Sequence, residues 1–468
     1  MIGNHDAARG VWLAMHRRLA ILTLLALTAC GADAAPSVAP STAPVTASTV
    51  AAPETTTVTE SSSTETAATA ATTAAPTTVA APAPAPFGTL PDLAVVSGDG
   101  KVAVVRNGLL SDPLVGLIAA DGQTLISTTV SADRLSTTVT WSDLSDGATT
   151  DSATLDGDLT AVATDPTAKV VALTGAGPDG TEIVISGRGG ELFRQAYNTE
   201  LLPEGFSNVY TESSELPIGL FVVEYLDPPP SEPEAPRRYR VRVLDTVTGA
   251  LALPRNLRDK SQTVDEEMLG FGRTHVLSQT NGLLFTLYRG LDDDEAGYAF
   301  VHTLGFVNGV WCLDLPLDLD LGNLPGAVVL DDDERTLYVA SANGFITEFV
   351  VDDITDLNTP GDPQPHSTES AWRDPSNTAG PALAMSGSTL LVGQGGDLRW
   401  INTEALTVTS ELSWDMTIEA VGLLPDGTAL AAGTRRISAI TPSGDLVGEL
   451  PLPDDFGPVA RIALLDQP

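Results

Sequence analysis

The sequence predicts an all-β fold, a β-propeller of seven blades with eight as the alternative, carried behind a disordered tether. Turn, short strand, turn and alternating strand recur at blade-like spacing through residues 90–468. The C-terminus ends on a lone strand pattern, and the folded part begins on a hairpin that lacks the strand before it.

Residues 1–29 read as a secretory signal. Arg17 and Arg18 precede an apolar stretch over residues 19–29. That stretch is too short to cross a hydrocarbon core of about 30 Å at about 1.5 Å rise per residue, and it fits the apolar region of a signal. Leu27-Thr28-Ala29-Cys30 closes it. This box resembles bacterial lipoprotein signals, and the resemblance implies that Cys30 is acylated and becomes the first mature residue. A lipid-anchored position on the extracytoplasmic face of a cell membrane is therefore expected. Met15 is a second candidate start, and Arg17-Arg18 also make a weak twin-arginine pattern.

Residues 30–86 follow as the lipidated cysteine and its tether. Beyond Cys30 they are almost only Ala, Thr, Ser, Pro and Val, with Asp33, Glu54, Glu60 and Glu65 and neither a base nor an aromatic ring. Such a segment buries too little apolar surface to offset its ordering entropy, so disorder is expected. It would span about 40 Å as a flexible coil and roughly 170 Å if extended. Its composition also resembles O-glycosylated stalks.

Residues 87–468 are expected to form one propeller domain, because all-β folds of this length are often single units. The recurring unit appears in Asp121-Gly122-Gln123-Thr124-Leu125-Ile126 and again around Asp165, Asn281, Glu334, Ser386 and Pro425. Leu125, Leu284, Leu337, Leu390 and Leu430 mark a spacing of roughly 40 to 54 residues once intermediate copies divide the longest gap, which is the size of a propeller blade.

Leu337-Tyr338-Val339-Ala340 followed by Asn343-Gly344-Phe345-Ile346 resembles the strand-turn-strand core of bacterial YVTN-repeat and WD-like propellers. Pro425-Asp426-Gly427-Thr428 resembles their recurrent turn, and Asp245-Thr246-Val247-Thr248-Gly249 resembles the Asp-x-x-Thr-Gly turn of many such blades. The resemblance covers most of residues 90–468 and implies architecture alone, since the fold hosts binding modules, hydrolases and quinoproteins alike.

Closure is expected at the ends. Residues 459–465 supply the lone strand, and residues 93–97 and 101–106 the hairpin it would complete, which would remove an open sheet edge. Hairpins number eight, but the first two lie close together, so seven blades are preferred and eight is the alternative. Two insertions interrupt the pattern, residues 227–236 with Pro228-Pro229-Pro230, and residues 353–377 with His366 and Trp372. They are read equally as binding loops on a rigid scaffold and as disordered decoration.

Charge excludes one partner class. The chain carries a net charge of −37, and loss of Arg9, Arg17, Arg18 and Asp6 with the signal would make it two units more negative. Nucleic acid, which needs a basic patch, is not an expected partner. With Cys30 committed to lipid, Cys312 has no disulfide partner and is read as a small buried hydrophobe beside Trp311. The acidic runs Asp292-Asp293-Asp294-Glu295 and Asp331-Asp332-Asp333-Glu334, and Asp314 with Asp318 and Asp320, read first as solubilising turns. Calcium is the alternative there, although the EF-hand order is absent.

Catalytic signatures are not found. Among His275, His302 and His366 none stands in a His-Glu-x-x-His arrangement, and no Gly-x-Ser-x-Gly elbow occurs. His302 shares strand parity with Tyr298, Phe300 and Leu304 and reads as a core or blade-interface residue. Gly187, Gly189 and Gly190, like Gly393, Gly395 and Gly396, read as hairpin turns rather than phosphate loops. No catalytic, cofactor-binding or metal-ligating residue is assigned, and the cofactor is left open. The expected function is a membrane-anchored binding or interaction module, monomeric, whose loop face meets a protein, glycan or peptide. The alternatives are a propeller enzyme, either a lactonase-like metal hydrolase or a quinone-dependent dehydrogenase, and a structural lipoprotein of envelope assembly.

Overall fold

The computed structural model describes residues 91–465 apart from 208–215, 230–234, 292–296, 308, 317–318, 322, 357–362 and 373–377. The expected signal, Cys30 and the expected tether lie outside the described residues. So does the whole of the Asp292 to Glu295 run, together with Asp318.

The protein is a β-propeller built from antiparallel hairpins. Blade one takes its strands from Leu114–Ile118, Thr124–Val130, Ser136–Asp143 and Thr149–Asp156. Blade two runs from Thr160–Thr164 to Gly190–Ala196, and blade three from Glu200–Phe206 through Arg237–Asp245 to Leu251–Ala252. Blade four starts at Met268–Ser278, blade five at Gly326–Leu330, blade six at Ala382–Ser386 and blade seven at Ala420–Leu423. The closing blade joins the C-terminal strand Val459–Leu464 to Leu93–Ser97, Lys101–Arg106 and Leu109–Leu110.

Among the described residues the blades are therefore eight, and the expected seven is corrected. The core confirms the count, because its apolar clusters lie between blades. One blade-one to blade-two cluster contains Trp141 and Leu173, and the series continues through every neighbouring pair to the closing blade and blade one, where Val104 meets Leu125. The miscount has a simple origin. Since the closing blade borrows its innermost strand from the far end of the chain, it occupies a shorter N-terminal stretch than the others, and its hairpin sits close to that of blade one.

Closure is made by Leu93 opposite Leu464, Ala94 opposite Ala463 and Val95 opposite Ile462. Two joints between blades are also continuous. Val102 pairs with Leu114, and Tyr239 with Met268, so a strand entering one blade first extends the sheet of the preceding one.

Aspartates set the turns from innermost to second strand. Asp121, Asp165, Asp331 and Asp426 each accept backbone N–H groups two to five residues further on. A short carboxylate does this without leaving the turn, which explains the repeated Asp and Gly signal. The same ladder defines two faces. Innermost strands begin on one face, where second strands end and third strands start, whereas Leu93 enters its blade on the other.

Candidate functional site

On the face where innermost strands begin, blades two and three leave a cleft of about 600 Å3. Thr160 and Glu200 open the innermost strands here, Tyr225 ends a second strand, and Thr181 and Arg237 open third strands. Arg134 and Asp158 reach in from a blade-one turn and the connection into blade two. Equivalent strand ends of successive blades thus converge, which is how a propeller builds a site from residues distant in sequence.

The charges in the cleft are compensated. Arg237 donates from Nη1 to Glu200 Oε1 at 3.0 Å and from Nη2 to Glu200 Oε2 at 2.8 Å. Its Nη2 also reaches the Asp227 carbonyl at 2.6 Å, and its guanidinium lies 3.9 Å over the Tyr225 ring. Arg134 pairs with Asp158. Two cations therefore meet two anions, and the Arg237 pair is oriented before any ligand arrives.

Backbone shape matters as much. A Cβ at Gly180 would meet Thr199 N, Thr199 O and Tyr197 O at 2.6 Å each, so the turn that forms this wall admits only hydrogen there. Thr181 Oγ1 accepts from Leu201 N at 3.0 Å and ties the third strand of blade two to the innermost strand of blade three.

Behind the cleft, the third strand of blade three presents further arginines. Arg238 pairs with Asp227 and Glu267, Arg240 with Glu224, and Arg242 with Glu224 and Asp265. Hydrogen bonds from Arg238 hold the Asp227 carboxyl below its usual range. Asp227 thereby fastens the base of the residue 227–236 insertion. Residues 230–234 of that insertion lie outside the described residues.

The histidines and Cys312 are not brought into this cleft. His302 is buried between the rings of Tyr239 and Tyr288, at 6.3 and 6.2 Å. Cys312 is its cross-strand partner, and burial pushes the thiol up to about 12. His275 stands exposed on the innermost strand of blade four, whereas His366, 69% exposed, lies 3.6 Å from Glu348 in blade five. Trp372 was expected within a loop that was either a binding group or decoration, but it is packed in the core and donates from Nε1 to Gln394 Oε1 at 3.1 Å.

The acidic run at Asp331 works as an inter-blade clip. The Glu334 carboxylate accepts from Ser278 Oγ at 2.9 Å and Thr280 N at 2.7 Å in blade four, and Asp332 accepts from Gly387 N at 2.6 Å in blade six. Asp320 is engaged by Asn323 Nδ2 at 2.7 Å.

No family model and no curated protein matches the chain. Similar solved structures include Sqt1 of Saccharomyces cerevisiae, at 9% identity and TM-score 0.41 over 70% of this chain and 82% of that one. The β-propeller domain of Myceliophteria thermophila Cps50 (Swd1) has 10% identity and TM-score 0.40 over 77% and 98%. Apo AztD of Citrobacter koseri has 11% identity and TM-score 0.43 over 80% and 96%. These likenesses carry no argument about function.

No cleft residue is marked by a functional motif in the sequence. One signal was available: Arg237-Arg238-Tyr239-Arg240-Val241-Arg242 concentrates four arginines in six residues of a chain that has 24 basic ones.

Proposed function

We propose that the protein is a binding propeller held on the extracytoplasmic face of a cell membrane by a lipid on Cys30. Its cleft between blades two and three takes a polar ligand of little net charge, a glycan or an extended peptide segment. The compensation of Arg134 by Asp158 and of Arg237 by Glu200 carries this reading. A preformed, neutralised wall with threonine hydroxyls suits hydroxyl or amide groups, because a strongly charged ligand would have to break an existing pair. The described lining contains neither histidine nor cysteine, and nothing in it specifically favours the lactonase-like or quinone-dependent alternative.

Glycan and peptide panels probed with the full chain test the reading. Thr160 is exposed at the mouth of the cleft, so Thr160→Trp should fill the space without disturbing the core and weaken binding at least tenfold. Undiminished binding by a folded Thr160→Trp protein would refute it.

A further inference from the structure

Arg461 lies on the innermost strand of the closing blade, beside a slip in the ladder. Ile462 pairs with Val95 and Arg461 with Val96, but Ser97 pairs with Val459, leaving Ala460 as an extra residue. A bulge of this kind bends the strand and re-aims the side chains next to it. Val459 and Ile462 are buried in the core shared with blade seven, whereas Ala460 and Arg461 are open to water. An innermost strand has protein along its flanks and the ring opening at its free edge. A water-accessible side chain at its middle therefore faces the opening.

Arg461 also lacks the carboxylate partner that several other arginines have. Arg194, Arg237, Arg240, Arg399 and Arg436 all rest on carboxylates. Arg461 has no ion pair and no hydrogen bond among the described residues, although the chain holds 61 acidic residues against 24 basic ones. Surrounding protein desolvates its guanidinium and lowers its pKa, yet arginine remains charged in proteins. A hydrated, unpaired cation has its donors available to an incoming ligand.

We propose that the ring opening binds a small oxyanion, a carboxylate or phosphate group, through Arg461. The planar fork of the guanidinium matches two oxygens of such a group. Compactness follows from the net charge of −37, which repels an extended polyanion. This site is separate from the cleft and stands or falls independently of it.

Calorimetric titration of the full chain with sodium phosphate and with sodium acetate, at constant ionic strength set by sodium chloride, tests the proposal. Saturable binding of at least one probe is expected, and the tighter one identifies the group. Arg461→Met should weaken it at least tenfold with the circular dichroism spectrum unchanged, while Arg188→Met, in an exposed turn, should leave it unaltered. Arg461→Lys keeps the charge and loses the fork, so it should weaken binding several-fold, and it decides the matter if the methionine variant misfolds. Affinity unchanged in the Arg461 variants, or absence of saturable binding of both probes to the native protein, overturns the proposal.

Discussion

Arg237 is pinned from two directions, with the Tyr225 ring 3.9 Å beneath its guanidinium and both Glu200 oxygens within 3.0 Å of its terminal nitrogens. The pair joins the innermost and third strands of blade three at the rim of the cleft. Lysine can supply the charge there, but neither the fork nor the stacked plane. Because Glu200 is 42% exposed, solvent screens part of the attraction, and Arg237→Lys should cost only about 1 kcal/mol. Urea denaturation measures it. An unchanged midpoint would mean that the stacked pair does not hold the rim.

Gly180→Ala should be costlier than its single methyl suggests. The added carbon meets backbone atoms of Tyr197 and Thr199 at 2.6 Å, and backbone cannot rotate away as a side chain can. A loss of about 1 to 3 kcal/mol is expected, together with weaker ligand binding because the cleft wall must move. Equal stability of variant and native protein would show that the turn is more pliable than described.

Deleting residues 458–468 should open the ring. Val459, Ile462 and Leu465 are 2%, 8% and 4% exposed, and burying such side chains stabilises by about 1.5 to 3 kcal/mol each. The truncation also leaves the Leu93–Ser97 strand with an unpaired edge. A lower melting temperature and self-association are expected in calorimetry and light scattering. A truncated protein that melts like the native one and stays monomeric would contradict closure.

Alkaline pH should destabilise the fold through Cys312. Its thiol is raised from 9.0 to about 12 chiefly by burial, although the residue as a whole keeps some surface. The neutral form is the one the fold favours, so stability is intact below the unfolded value and declines between pH 9 and about 12. The slope attributable to this group is at most about 1.4 kcal/mol per pH unit. Tyr197, raised to about 12 by burial, acts in the same direction. Cys312→Ala should flatten the decline, and alkylation of native Cys312 at pH 8 should be slow. Rapid alkylation of the folded protein would contradict an enclosed thiol.

Anchoring is tested at Cys30. The Leu27-Thr28-Ala29-Cys30 box predicts that Cys30→Ala abolishes labelling by a fatty-acid analogue and releases the domain, or leaves it held only by an uncleaved signal. Label persisting in that variant would place the lipid elsewhere or remove it from the account.

Much of the architecture was legible from local chemistry. Asp121, Asp165, Asp331 and Asp426 announce turns because a carboxylate near its own backbone N–H groups needs no distant partner. Strand parity likewise placed His302 in the interior, since alternation along one strand already decides which face a side chain joins. The same reasoning failed at Trp372, whose loop setting concealed a core position formed with Gln394.

What the sequence alone determined was the repeating turn and strand grammar, the lone C-terminal strand and the acidic composition. All are local patterns or compositional sums. Tertiary structure decided the count of eight among the described residues, because the closing blade is assembled from residues at opposite ends of the chain. It also decided the cleft and the setting of Arg461. Arg134, Asp158 and Glu200 are charges of no evident pattern in sequence, and only the folding of blades two and three against each other joins them to Arg237 in a single neutralised wall. Arg461 differs from its paired counterparts through a one-residue slip against Ser97, and a slip in register is a relationship between two strands that neither strand carries by itself.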